Sequence, residues 1–350
     1  MKFQHRNLWI ITVVFCAIFC SFFLICCKKK IYKNNISSSE LNLVKKKLNI
    51  SILRYDNDIF SLDLNNLSKE VERLSKIYPQ FLIEPEIWND QEQLDRLKAY
   101  LQDTVIIAIH KATEKTVKTD IILKELENGF GYYKIFYPND SIPVIITLLP
   151  GLVFTQPSVY FYDDFNFLCV NIDMYLGADN PFYKAAGLQA YIAERCEPIY
   201  LPVDIFKKAM VYKHLEKEPR TTLIENMIFE GKKLFFTEMM FPNLQERYII
   251  GYSEEKLNWA YKYLGNVWSY MIEKNELFGK EEALQRSYIE EAPFTKHFGS
   301  ESPGRLGIFI GWKLVQSFMK NNPEITLPEL MQESDYQKIL NYSKFKPQVK

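Results

Sequence analysis

Apolar residues recur at helical spacing through the first part of the chain body. In "LNNLSKEVERLSKIY" the residues Leu64, Leu67, Val71 and Leu74 share one helical face, and Pro79 ends the segment. "DQEQLDRLKAYLQDTVIIAIHKATEK" and "DIILKELENGFGYYKIFYP" continue in the same period, so 58–135 reads as a set of helices. The period changes at Pro143. "PVIITLLP" (143–150), "VYFYDD" (159–164) and "FLCVNIDMYL" (167–176) are short, β-branched and aromatic, with turn residues between them. They predict a small sheet of about three strands. From 182 onward the pattern is helical again. Helices, then a sheet, then helices define an α+β, mostly helical fold rather than an alternating α/β one. No long polar linker divides 51–345, which therefore reads as a single domain with parts at 51–140 and 141–345.

The N-terminus has a different pattern. Lys2 and Arg6 precede the uncharged run "LWIITVVFCAIFCSFFLICC" (8–27), and lysines follow. The run exceeds the apolar core of an ordinary signal peptide and is long enough to cross a bilayer. "Leu24-Ile25-Cys26-Cys27" resembles a bacterial lipobox, with Cys26 in the place of the usual small residue. The expectation is a lipoprotein signal peptide at 1–26 and lipidation at Cys27; an uncleaved span is the alternative. Either carries the body across a membrane and leaves it tethered. Residues 27–50, rich in lysine and carrying "SSS", read as a basic tether. Lys28 directly after Cys27 favours the outer over the inner membrane.

Composition narrows the classes. The chain has 350 residues, 43 basic and 43 acidic, so charge balance supports no nucleic-acid partner. Aromatics make up 15%, which predicts a well-packed aromatic core. Of the cysteines only Cys169 and Cys196 lie in the body, and both read as buried thiols, with a disulfide as the alternative.

The candidate chemistry sits in "MVYKHLEKEPRTTLIENMIFEG" (210–231), read as two successive helices, 203–217 and 219–240. Zinc peptidases place two histidines four apart on one helical face, with a glutamate after the first acting as general base. With His214 as the second histidine, Met210 and Val211 occupy the other two positions, and neither can perform those roles. On the second helix Glu225 points away from the apolar stripe, Glu230 lies at its edge, and Glu238 falls inside it and needs a partner. His214 and Glu230 are thus vestigial metal candidates, and two ligands fall short of the three that catalytic zinc usually has. No metal or other cofactor is expected. His110 and Glu114, four apart, read as a solvent-side pair.

"SPGRLGIFIGWKLVQSF" predicts a buried helix with Ser302 as N-cap and Pro303 in the first turn. Gly304, Gly307 and Gly311 fall on one face and predict close backbone approach to another element. Each glycine costs a helix about 1 kcal/mol against alanine. Arg305 in the first turn opposes the helix dipole. It is expected either to pair with Glu230 or another buried acid, or to contact a substrate or partner.

Several stretches together resemble the GldB family of gliding-motility lipoproteins of Bacteroidota over about 51–347. They are "NIDMYLGADNPFY" (171–183), "ENMIFEGKKLFFTEMMFP" (225–242), "IGYSEEKLNWA" (250–260), "NVWSYMIEKNELF" (266–278), "APFTKHFGSESPGRLGIFIGWKLVQSFMK" (292–320) and "YSKFKP" (342–347). The resemblance implies a zincin-like fold for 141–345, similar to a predicted zinc-peptidase family in which the glutamate of "EG", here Glu230, is the metal-ligand candidate. It also implies a non-enzymatic envelope lipoprotein serving gliding and the type IX secretion apparatus, with a membrane and other envelope proteins as partners. The alternatives are a divergent zinc metallopeptidase and a module binding peptidoglycan or another envelope polymer. The last needs exposed aromatics, for which Trp259 and Trp268 are candidates.

Overall fold

A sheet of four strands, one more than the sequence predicts, has the order β1-β2-β4-β3. The strands are β1 (Ile52–Leu53), β2 (Val144–Leu148), β3 (Val159–Phe161) and β4 (Phe167–Asn171). β1 and β4 both run parallel to β2, with Ile52 opposite Ile145 and Ile146 opposite Cys169, while β3 closes the other edge antiparallel. The β4 run "FLCVN" is buried from Leu168 to Asn171, which explains its continuous rather than alternating apolar pattern. The two-residue β1 is too short to carry a periodic signal. These features come from a computed structural model that describes residues 36–79, 90–162 and 166–349. The predicted export segment 1–26 and Cys27 lie outside the described residues.

Ser37–Lys350 forms one compact unit. Because β1 pairs with β2, the division predicted at 140 runs through one sheet. Within the stretch predicted as a tether, Ser38–Lys45 is a helix that packs on the Thr119–Phe136 helix, with Leu41 and Lys45 over Gly131 and Lys45 Nζ 2.6 Å from Asn128 Oδ1. Leu67, Val71 and Leu74 are buried together as the spacing predicts. His110 is not a solvent-side partner of Glu114: its ring stacks on Phe60 at 4.2 Å and its Nε2 lies 3.0 Å from Asn57 Oδ1. Cys169 and Cys196 are buried free thiols. Among the described residues no helix is long and apolar enough to cross a membrane.

The centre of the larger core is a crossing of two helices, Leu223–Met240 and Leu306–Asn321. The first begins with a capping box. The Glu225 amide donates to Thr222 Oγ1, and the Thr222 amide donates to Glu225 Oε2 at 2.9 Å, which is why Glu225 turns from the apolar face. At the crossing Gly231 meets the backbone of Gly311, and Gly311 meets the Met227 carbonyl. Side chains there would hold the helices apart. Glu238, buried beside them, accepts from Trp312 Nε1 at 2.9 Å and Gln316 Nε2 at 2.7 Å, the partners its position in the stripe requires.

The second helix starts later than predicted. Arg305 is its N-cap in the left-handed region, φ 58°, ψ 32°, and Ser302 instead donates to the Gly299 carbonyl at 2.7 Å. The cause is packing before the helix. Gly304 lies against the Ala292 carbonyl, and the Thr295 amide donates to Pro303 O at 3.0 Å, which fixes the chain in a turn through 305. The three glycines therefore serve three contacts rather than one stripe: Gly304 on Ala292, Gly307 on Tyr288 and Gly311 on Met227.

Candidate functional site

The segment predicted as one helix at 203–217 is three pieces. Tyr200–Asp204 is α-helical, Ile205–Ala209 is a π turn, and Met210–Lys213 is a 3₁₀ turn with His214 at its C-cap. The i,i+4 frame that would place His214 opposite residue 210 on an α-helical face does not exist. Such π turns, which re-aim side chains, occur frequently at functional sites. Within it Lys207 Nζ (3.4 Å) and Lys208 Nζ (2.7 Å) both lie against the buried Asp204 carboxylate, three and four residues before them.

The structure separates the two metal candidates. His214 is buried in an aromatic cluster, stacked on Tyr137 at 3.7 Å. Its Nε2 lies 3.0 Å from Tyr133 Oη, and Tyr133 donates its one proton to Asp140 Oδ2 at 2.6 Å. The tyrosine oxygen can then only accept, so His214 is the Nε2–H tautomer and donates. Glu230 faces elsewhere, into a cavity, and is held by Lys233 Nζ at 2.8 Å. Among the described residues no group of three or more His, Cys, Asp and Glu side chains is placed to hold a metal ion. The donors present do not fit a zinc site.

Burial, with a lesser push from Lys213, lowers the His214 pKa to about 4 despite the opposing charge of Asp140. A folded-state pKa below the unfolded value of about 6.5 means that folding favours neutral imidazole. The stabilisation is therefore full above about pH 6.5 and is lost as pH falls toward 4. Urea denaturation at stepped pH is expected to show a loss of up to about 3 kcal/mol across that window, absent in His214→Gln. A wild-type curve that parallels the variant between pH 7 and 4 would refute the assignment.

Glu230 opens instead onto a cleft of about 710 Å³. Arg305 lines the same cleft but does not pair with Glu230. Its Nε lies 3.3 Å from Glu291 Oε2, and Arg195 binds the same carboxylate through both oxygens, at 2.6 and 2.8 Å. The five cations of the cleft thus lean on three carboxylates: Arg195 and Arg305 on Glu291, Lys207 and Lys208 on Asp204, and Lys233 on Glu230. A fourth carboxylate, Glu290 at the mouth, is mostly exposed and lies 3.9 Å from Arg286 Nε. The protonation energetics register the crowding. Burial lowers Lys207 to about 8, and Lys208, Arg305 and Arg195 press the same way against the pull of Asp204. Burial and the neighbouring Arg195 also lower Arg305. Asp204 stays below its ordinary value because Lys208 and Lys207 outweigh its burial.

Sequence reasoning singled out Glu230 and Arg305 from this cleft and missed Arg195, Lys207, Lys208 and Glu291. The available signal was the adjacent lysines of "YLPVDIFKKAMVY", polar residues inside an apolar run. Of the aromatics weighed for polymer binding, Trp268 is buried against Phe345 and Trp259 is half-buried beside Tyr263.

The described residues form a mostly helical α+β body with a small sheet and a charged cleft. The profile described as "Gliding motility protein GldB" matches residues 37–347, and the chain belongs to that family. The match begins at the Ser38–Lys45 helix, earlier than the resemblance over 51–347 suggests. No curated protein and no solved structure matches the chain.

Proposed function

We propose that this gliding-motility protein works without catalysing a reaction. In this reading it is lipidated at Cys27, faces the periplasm, sits in the outer membrane, and supports assembly or stability of the gliding and type IX secretion machinery. The scaffold is zincin-derived, with Glu230 at the position of a former metal ligand. The observation that carries the reading is the Glu230–Lys233 ion pair, 2.8 Å long, in a cleft where cations outnumber carboxylates. A cation fixed on the carboxylate competes with any metal for it, and His214 is engaged elsewhere with Tyr133.

Complementation of cells lacking the gene tests this. Glu230→Gln and His214→Gln are expected to restore spreading to near the wild-type level. Cys27→Ala is expected to abolish it and to leave the membrane fraction with normal processing lost. Loss of motility in Glu230→Gln, with the protein folded and at normal abundance, would end the non-enzymatic reading. A motile, membrane-bound Cys27→Ala strain would end the anchor.

A further inference from the structure

The cleft beside Glu230 has an unusual charge balance for a cavity with no function. Five cations against four carboxylates leave one positive charge in excess, and several of the groups that hold the positive charge are largely shielded: the side chains of Lys207, Lys233 and Arg305 are 13%, 13% and 12% exposed. Burying like charges together costs free energy unless something compensates. The chain accepts two further costs here. Arg305 occupies a left-handed conformation that non-glycine residues seldom adopt, and it opposes the dipole of the sixteen-residue helix that follows. The π turn that carries Lys207 and Lys208 breaks the regular helix. Strain of this kind persists where a site is held in a set geometry.

The donors also have the right form. A guanidinium carries five N–H donors in a plane that matches two oxygens of an anion. Among the described residues the partners of the Arg305 guanidinium are Glu291 and the Gly251 carbonyl, with the Tyr252 ring beneath it at 5.6 Å. Apolar side chains also line the cleft, among them Val159, Ile192, Leu234 and Ile308. A wholly inorganic ion would leave those apolar side chains wet and most of the volume empty.

We propose that the cleft binds a small organic oxyanion, a single negative charge on an apolar body, with Arg195, Arg305, Lys207 and Lys208 holding the charge and the apolar lining residues holding the body. The site is independent of whether the protein catalyses anything. The excess of one charge sets the charge class. Carboxylates and singly charged phosphate esters share it.

Ligand-observed NMR titration of the full-length chain in a non-ionic detergent tests the site with three probes. N-acetyl-leucine supplies a carboxylate on an apolar body, N-acetyl-leucinamide the same body without charge, and inorganic phosphate the charge without the body. Saturable binding of N-acetyl-leucine is expected, at least tenfold tighter than that of the amide and weakened by added salt. Lys208→Gln, at a side chain 45% exposed and so tolerant of change, is expected to weaken it about tenfold, and Arg305→Gln more. Phosphate is expected to compete at higher concentration. Equal binding of acid and amide, an affinity unchanged in Lys208→Gln, or no saturable binding of either anion at 20 mM would overturn the proposal. Conversion of a probe in the same spectra would bear on the non-enzymatic reading alone.

Discussion

Gly311→Ala is expected to destabilise the protein by at least about 2 kcal/mol, although it replaces glycine by the best helix former in the middle of a helix. Two effects compete. Removing glycine from a helix interior gains about 1 kcal/mol. A methyl group at 311 overlaps the Met227 carbonyl, and that atom belongs to a helix backbone that cannot turn aside as a side chain can. Overpacking of a core costs roughly 1–3 kcal/mol, occasionally more, and backbone against backbone belongs at the upper end. The steric term wins. Gly231→Ala, whose methyl overlaps the Gly311 carbonyl from the other side, should behave alike. Gly307→Ala is the internal control: its neighbours, the Tyr288 carbonyl and the movable Ile289 side chain, stand near 3 Å, so its loss should be smaller. Urea midpoints at constant m-value measure all three. Gly311→Ala as stable as wild type would mean that the two helices do not cross in contact there.

Lys232→Met is expected to cost about 3–5 kcal/mol, because it strands a charge. Lys232 is fully buried, with its Nζ 3.3 Å from Glu216 Oε1 and 2.8 Å from the Glu333 carbonyl, and Tyr336 donates to the same Glu216 oxygen. Without the lysine, Glu216 keeps one hydroxyl donor in a site closed to water. Most of the penalty belongs to the abandoned carboxylate, so the double variant Lys232→Met/Glu216→Leu should regain most of the loss. Buried pairs replaced together by apolar groups are often neutral. A single variant that loses less than about 1 kcal/mol, or a double variant no better than the single, would contradict this account. Lys232 directly precedes Lys233, yet the two serve different ends: one closes the core, the other lines the cleft.

Periodic features could be read from the sequence, and irregular ones could not. Leu67, Val71 and Leu74 declared their face by spacing, and Glu238 declared its need for a partner by falling inside an apolar stripe. Both readings rest on a regular helix, and both segments are regular. At 205–213 the backbone passes through a π turn and a 3₁₀ turn, and the face of every residue after Ile205 shifts. That shift carried His214 out of the metal frame. At 302–305 the capping signal of Ser302 lost to a tertiary contact, the seating of Gly304 on Ala292, which no local pattern encodes. The cleft itself is non-local. Its charges come from 195, 204, 207–208, 230, 233, 290–291 and 305, and only proximity in space makes an adjacent pair of lysines differ from a solvated one.

The pairing of Ile52 with Ile145 has a kinetic consequence. A chain that emerges N-terminus first cannot form this parallel pair until some ninety residues later, and closing a loop of that size costs about 4 kcal/mol in chain entropy before any contact repays it. The Leu223–Met240 helix then waits a further stretch of similar length for the Leu306–Asn321 helix that covers its glycine face. Folding is thus committed only when nearly the whole chain is present. Until then Leu223–Met240 presents a long apolar surface, so the newborn protein should depend on holding chaperones and be most open to proteolysis in that interval.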